Sequence, residues 1–226
     1  MTNTKKPTLY IQELGPFPQV AMITFLEKGL KAGVDFNVEI INMKNKPASF
    51  IELSPTAKPP LLLVNNTPIF ETAVIIEAID NLYGTSGEFQ LSNTLLRMEN
   101  KSWTEFGLML LIDVFNTIMQ KDKQNYILFF NKAQENFLKL EERMGLGPYF
   151  NGAEVSLIDF VYSTIFLRQE VFERHYNLRM LDNCPKLRKW SEALLAREST
   201  TASLPDHFEK GLTSWLNNSN LYISNN

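Results

Sequence analysis

Apolar and polar positions follow two different grammars on either side of residue 84. Before it, short β-prone runs alternate with helical spacing. The run LYI, Leu9 to Ile11, predicts a strand, and QVAMITFLEKGL after it predicts a helix that stops near Gly29, with Lys28 and Lys31 close to its end. Val20, Met22, Ile23, Phe25 and Leu26 cover more than one face of that helix, so it is expected to lie between two layers. FNVEII, Phe36 to Ile41, predicts a second strand, and strand, helix and strand make one βαβ unit with a right-handed crossover. KPPLLLVNNTPIF then reads as a hairpin, Leu61 to Val64 and Thr67 to Phe70, because Asn65 and Asn66 tolerate the positive φ of a tight turn. In ETAVIIEAIDNLYG the apolar positions Val74, Ile75, Ala78, Ile79 and Leu82 have helical spacing, and Gly84 is a stop.

Beyond this point no strand pattern returns. GTSGEFQLSN is small and polar, and reads as a linker. Long helical periodicities follow through LLRMENKSWTEFGLMLLIDVFNTIMQ, NYILFFNKAQENFLKLEERMG, SLIDFVYSTIFLRQEVF and CPKLRKWSEALLAR, and the polar tail after Trp215 is expected to fray. The division predicted is an α/β domain (βαβ then ββα) over 1–84, a linker over 85–93 and an all-helical domain over 94–226.

Charge and composition narrow the partners. With 22 basic and 25 acidic residues the net charge is −3, which creates no field for nucleic acid or for an anionic membrane surface. MTNTKKPT lacks the apolar core of a signal peptide, and no apolar run reaches the length of a membrane span, so a cytoplasmic protein is expected. The single Cys184 excludes an intrachain disulfide and suits a reducing compartment. His175 and His207 have no partners at metal or triad spacing, so no metal site is predicted.

Several short stretches carry candidate chemistry, each with a plain structural reading beside it. ELGPFPQVA, Glu13 to Ala21, joins the first strand to its helix yet offers no thiol, hydroxyl or imidazole at the turn. Glu71 and Thr72 open a helix whose free amides would form an anion pocket; alternatively Thr72 is only a cap and Glu71 is solvated. Lys44 and Lys46 belong to a loop that is either a binding element or charged surface. Pro60, directly before a strand, marks an edge or a cis bond. Ser156 and Asp159 form a structural capping box. Trp103, Phe106, Met109 and Phe115 recur along one face of a long helix, and Tyr162 and Phe166 stand four apart on a later one; each set is core or pocket wall.

Taken together, these pieces resemble the cytosolic glutathione transferase superfamily over nearly the whole chain, with the omega class nearest. In that class the first strand runs into a Cys-Pro-Phe-Ala-Gln turn, which GPFPQ at 15–19 matches in three of five positions. NMKNKP, SPTAKPPLLL, ETAVIIEAID, NGAEVSLIDF and DNCPKLRKW are each similar to a family segment. The resemblance implies a thioredoxin-like domain followed by a helical bundle, glutathione as substrate, and a homodimer. It implies a cis bond before Pro60, glutathione held by Phe17, Lys46, Pro59, Glu71 and Thr72, and an apolar acceptor near Phe106, Met109, Tyr162 and Phe166.

Two departures change the implied chemistry. Gly15 occupies the place of the omega cysteine, so a mixed disulfide with glutathione has no sulfur to form on, and the Phe17 and Gln19 amides are the plausible thiolate donors, Phe17 first. Pro18 and Pro59 stand where residues with an amide are usual, and neither has an N–H to give. The expectation is an omega-like transferase that conjugates glutathione to an apolar electrophile without a cysteine intermediate. The alternative is a non-catalytic module using the fold to bind a protein partner or an apolar ligand.

Overall fold

The computed structural model describes residues 5–225, so the first residues of the polar MTNTKKPT stretch lie outside the described part. Two compact units are formed, Met1–Gln90 with Ala202–Pro205, and Leu91–Thr201 with Asp206–Asn226.

In the first unit β1 (Thr8–Ile11) leads through α1 (Pro16–Glu27) to β2 (Asn37–Ile40), then α2 (Ala48–Leu53), β3 (Leu61–Val64), β4 (Thr67–Phe70) and α3 (Thr72–Leu82). The sheet order is β2-β1-β3-β4. β2 runs parallel to β1, while β3 is antiparallel to both β1 and β4, which is the thioredoxin-like arrangement. Period-two alternation sorts the sheet residues. Leu9 and Leu62 pack with Ala21 and Phe25 of α1 and Ile75 and Ile79 of α3, whereas Leu61, with Tyr10 and Leu63, packs with Phe50 of α2. Asn65 and Asn66 have φ of 48° and 69°, the paired positive angles of a two-residue hairpin turn.

α1 ends as its sequence predicts. Gly29 adopts φ 74°, and the Leu30 amide reaches back to the Phe25 carbonyl at 3.0 Å, closing the helix in a Schellman turn. The side chain of Lys28 then does something its sequence position does not announce. It is fully buried, with Nζ 3.0 Å from Asp80 Oδ1 and 3.1 Å from Glu88 Oε2, and it also donates to the Thr85 carbonyl. Asp80 accepts in addition from the Phe89 amide at 3.3 Å and Gln90 Nε2 at 2.9 Å. Residues 85–90, expected as linker, are therefore held to the first unit by bonds to the buried Lys28–Asp80 pair.

The second unit contains α4 (Thr94–Ile118), α5 (Lys123–Arg143), α6 (Leu157–Tyr176), α7 (Pro185–Leu195), the short α8 (Glu198–Ala202, its last residue counted with the first unit) and α9 (Phe208–Asn217), then a 3₁₀ turn, Tyr222–Asn225. Asn93 and Asp122 cap α4 and α5 by accepting the amides of Leu96 and Asn125 at 3.1 and 2.9 Å. α6 is the central helix, starting at the reciprocal Ser156–Asp159 capping box. The tail does not fray up to residue 225: Leu221 and Ile223 are buried, and the Tyr222 amide donates to the Gln120 carbonyl at 2.8 Å. Among the described residues no helix is long and apolar enough to cross a membrane.

Candidate functional site

Strand register places the candidate residues of the first unit at one end of its sheet. Tyr10 of β1 faces Leu61 of β3, and Leu61 faces Phe70 of β4, while Ile11 pairs with Ile40 of β2. The carboxyl ends of β1, β2 and β4 and the start of β3 thus share an edge. The β1–α1 turn with Gly15 and Phe17, the loop bearing Lys46, the Pro59–Pro60 bond and the Glu71–Thr72 start of α3 all follow or precede those ends directly.

At the β1–α1 turn, Gly15 is the N-cap of α1 and gives no side-chain cap. Its own amide donates to the Gln12 carbonyl at 2.9 Å, and the Gln19 amide donates to the Gly15 carbonyl at 3.4 Å. Pro16 and Pro18 have no N–H. Phe17 therefore carries the one amide of residues 15–18 that has no acceptor among the described residues. A helix start ordinarily offers several such donors to an anion; this one offers a single donor.

α3 presents the opposite case. Thr72, Ala73 and Val74 form its first turn, their amides lack acceptors among the described residues, and the first ladder bond runs from Ile75 to the Glu71 carbonyl at 2.9 Å. Glu71 itself is exposed and adopts φ 69° and ψ 125°, a strained position for a residue with a side chain. The free amides on which the anion-pocket reading of Glu71 and Thr72 depends are there, and no side chain caps them.

The Pro59–Pro60 bond is cis. Pro59 has a carbonyl and no amide to offer an extended ligand, as the sequence requires. Lys46 Nζ donates to the Ala57 carbonyl at 2.7 Å, so this ammonium braces the loop ahead of the two prolines. Lys44 is exposed.

The four apolar candidates of the second unit divide. Tyr162 and Phe166 are 0% and 1% exposed, with ring centroids 4.7 and 5.2 Å from Trp190, and Tyr162 donates its hydroxyl to the Trp103 carbonyl at 2.9 Å. They are core, not pocket wall. The cause is Gly107, where an added Cβ would stand 2.9 Å from the Tyr162 ring, so glycine lets α4 close over the tyrosine. Phe106 is half-buried with its ring 5.1 Å from Trp103, and Met109 is exposed. Met109, Ile112 and Phe115 form an exposed stripe on α4, and Phe115 stacks on the exposed Trp215 of α9 at 6.3 Å and 9°. Trp215 was legible only as part of the spacing Phe208, Leu212, Trp215 and Leu216, which Gly211 and the surrounding polar residues obscure.

Cys184 is 1% exposed at the N-cap of α7, and burial first, then Glu141, pushes its thiol up to about 11. It is a poor nucleophile. His175 pairs with Glu209 at 2.6 Å, and among the described residues no group of three or more His, Cys, Asp or Glu side chains could hold a metal ion.

Comparison with known proteins shows what this geometry is similar to. The model of the glutathione S-transferase N-terminal domain matches residues 14–82, a span that contains the β1–α1 turn, Lys46, the cis bond and the Glu71–Thr72 helix start. The soybean protein glutathione S-transferase 3 is 23% identical over 82% of this chain and 84% of its own. Rat glutathione S-transferase omega-1 is 27% identical over 88% of this chain and 79% of its own.

The chain is similar to glutathione transferases over most of its length.

The fold agrees: the structure of a rice glutathione transferase solved in complex with glutathione superposes with a TM-score of 0.79, at 17% identity, covering 96% of each chain. The end of the sheet where two helix starts and a cis-prolyl bond meet is the candidate site.

Proposed function

We propose that the protein is an omega-like transferase that binds glutathione at this sheet end and joins its sulfur to an apolar electrophile, with no cysteine intermediate. The observation that carries the reading is the convergence of the Glu71–Thr72 start of α3, the cis Pro59–Pro60 bond and the free Phe17 amide at one edge, set by strand register. The amides of α3 and the Thr72 hydroxyl take the γ-glutamyl carboxylate, Glu71 takes the α-amino group, the Pro59 carbonyl accepts from the cysteinyl amide, and Lys46 stands on the glycyl side. The thiol loses its proton to solvent, its sulfur attacks the electrophilic carbon, and a thioether forms as the leaving group departs or the adduct takes up a proton. With one amide as donor, thiolate stabilisation amounts to ~0.3–1 kcal/mol, so turnover is slow.

Gly15, which has no reactive atom, favours a second reading, in which the same fold binds a protein partner or an apolar ligand and catalyses nothing. Calorimetry with reduced glutathione separates the two. Binding in the micromolar to low millimolar range is expected, weakened at least about tenfold by Glu71→Ala through loss of a charge-assisted bond. No heat at about ten millimolar glutathione would leave only the binding module. The transferase reading also carries a homodimer, and a monomer mass in solution scattering at micromolar concentration would remove that part of it.

A further inference from the structure

A side-chain bond links the α1 turn to a segment far along the chain. Ala202–Pro205 belongs to the first compact unit although its neighbours on both sides in sequence belong to the second. In that strap Ser203 Oγ accepts a hydrogen bond from Gln19 Nε2 at 3.0 Å, across 184 residues of sequence. Gln19 is only 4% exposed, and its backbone amide makes the first ladder bond of α1, to the Gly15 carbonyl, at a long 3.4 Å.

The α1 turn needs such support. Two prolines in its first three residues remove two amides, and Gly15 contributes no side-chain cap. A nearly buried glutamine held from outside the helix supplies what is missing.

We propose that Ser203 is a positioning residue for the glutathione site: by holding the Gln19 side chain it fixes the first turn of α1, and with it the direction of the Phe17 amide that faces the glutathione sulfur. Ser203 itself touches neither substrate nor sulfur. The inference rests on the glutathione reading above and deepens it, because it names a residue outside the N-terminal stretch on which thiolate stabilisation depends.

The test uses the full chain carrying Ser203→Ala, Ser203→Thr, Gln19→Ala and the double variant Gln19→Ala/Ser203→Ala. In the ligand-free protein, Ser203→Ala is expected to speed hydrogen exchange at the Gln19 and Val20 amides about two- to tenfold, the range one hydrogen bond supports. With glutathione and an aryl halide, kcat below neutral pH should fall about two- to tenfold while KM for glutathione stays within about twofold, and the acid limb of the kcat profile should move to higher pH. Ser203→Thr, which keeps the hydroxyl, should restore both readouts. The double variant should behave like either single variant. Unchanged exchange, an unmoved pH profile, or additive effects of the two substitutions would overturn the proposal. A natural protein that neither binds nor turns over glutathione would sink the transferase reading instead, and the exchange rates would still decide whether the strap holds the turn.

Discussion

Gly15→Cys is expected to give this protein thioltransferase chemistry that its natural form lacks. Gly15 has φ −72° and ψ 135°, extended backbone that any residue adopts, so a side chain there adds no torsional strain. The obstacle is lateral. An added Cβ would stand 3.1 Å from the Gln12 carbonyl oxygen, 3.1 Å from Pro18 Cδ and 3.3 Å from Gln12 Oε1, so these neighbours must yield by a few tenths of an ångström. Pro18→Ala removes the Cδ and returns an amide to the third position of α1. The double variant is therefore expected to outperform the single one. In Gly15→Cys alone, one free amide should lower the thiol by less than about one unit from its ordinary value of ~8.5.

The step is thiol–disulfide exchange. The introduced thiolate attacks the glutathionyl sulfur of a small mixed disulfide, the small thiolate leaves, and a second glutathione thiolate then displaces the protein and departs as glutathione disulfide. Cys184 is the internal control: burial shields its thiol and pushes it up to about 11, so little of it is thiolate at pH 8. Mass mapping should find glutathione on the introduced thiol about a hundredfold faster than on Cys184. If the label stays on Cys184, or the natural protein reduces the same substrate equally well, Gly15 does not occupy the position of the omega cysteine.

Asp159→Ala is expected to produce the largest loss of stability. The carboxylate is fully buried and satisfies four donors: Phe150 N at 2.9 Å and Trp190 Nε1 at 2.8 Å on one oxygen, Ser156 N and Ser156 Oγ at 2.8 Å on the other. Each orphaned buried donor costs about 1–3 kcal/mol, though neighbours relax and the terms do not simply add. A total of about 3–5 kcal/mol follows, more than a hundredfold in the folding equilibrium. Asp159→Asn should fall between, since its amide keeps the shape and one acceptor but sets an NH₂ against donors. Urea unfolding followed by tryptophan fluorescence measures both variants. A loss under about 1 kcal/mol for Asp159→Ala would show that water takes over the four donors.

Much of the first unit could be read directly because its signals are local. LLLV, the Asn65–Asn66 turn and TPIF give β3 and β4 with the bounds their side chains predict, and Gly29 ends α1 where a positive φ is needed. The cis bond at Pro59–Pro60 is also where resemblance implied it. α8 and α9 were harder, because short polar helices draw their stability from packing, and Phe208, Leu212 and Leu216 count only once they have something to bury against.

The sequence by itself determined the strands, the long helices, the hairpin turn, the capping box and the lack of a nucleophile at residue 15, since each depends on residues a few positions apart. Tertiary structure decided everything that depends on distance through space. Strand register gathers Phe17, Lys46, Pro59, Glu71 and Thr72 at one sheet end. The absence of a side chain at Gly107 makes Tyr162 core, and Lys28 and Asp80, 52 residues apart, turn a linker into a fixed segment. Lys46 acquires a carbonyl partner 11 residues away, and Gln19 one hydroxyl 184 residues away. Hydrophobic period and turn chemistry say which face a residue presents; only the folded chain says which polar group meets it there, because a buried donor takes the acceptor that packing brings within 3 Å or so.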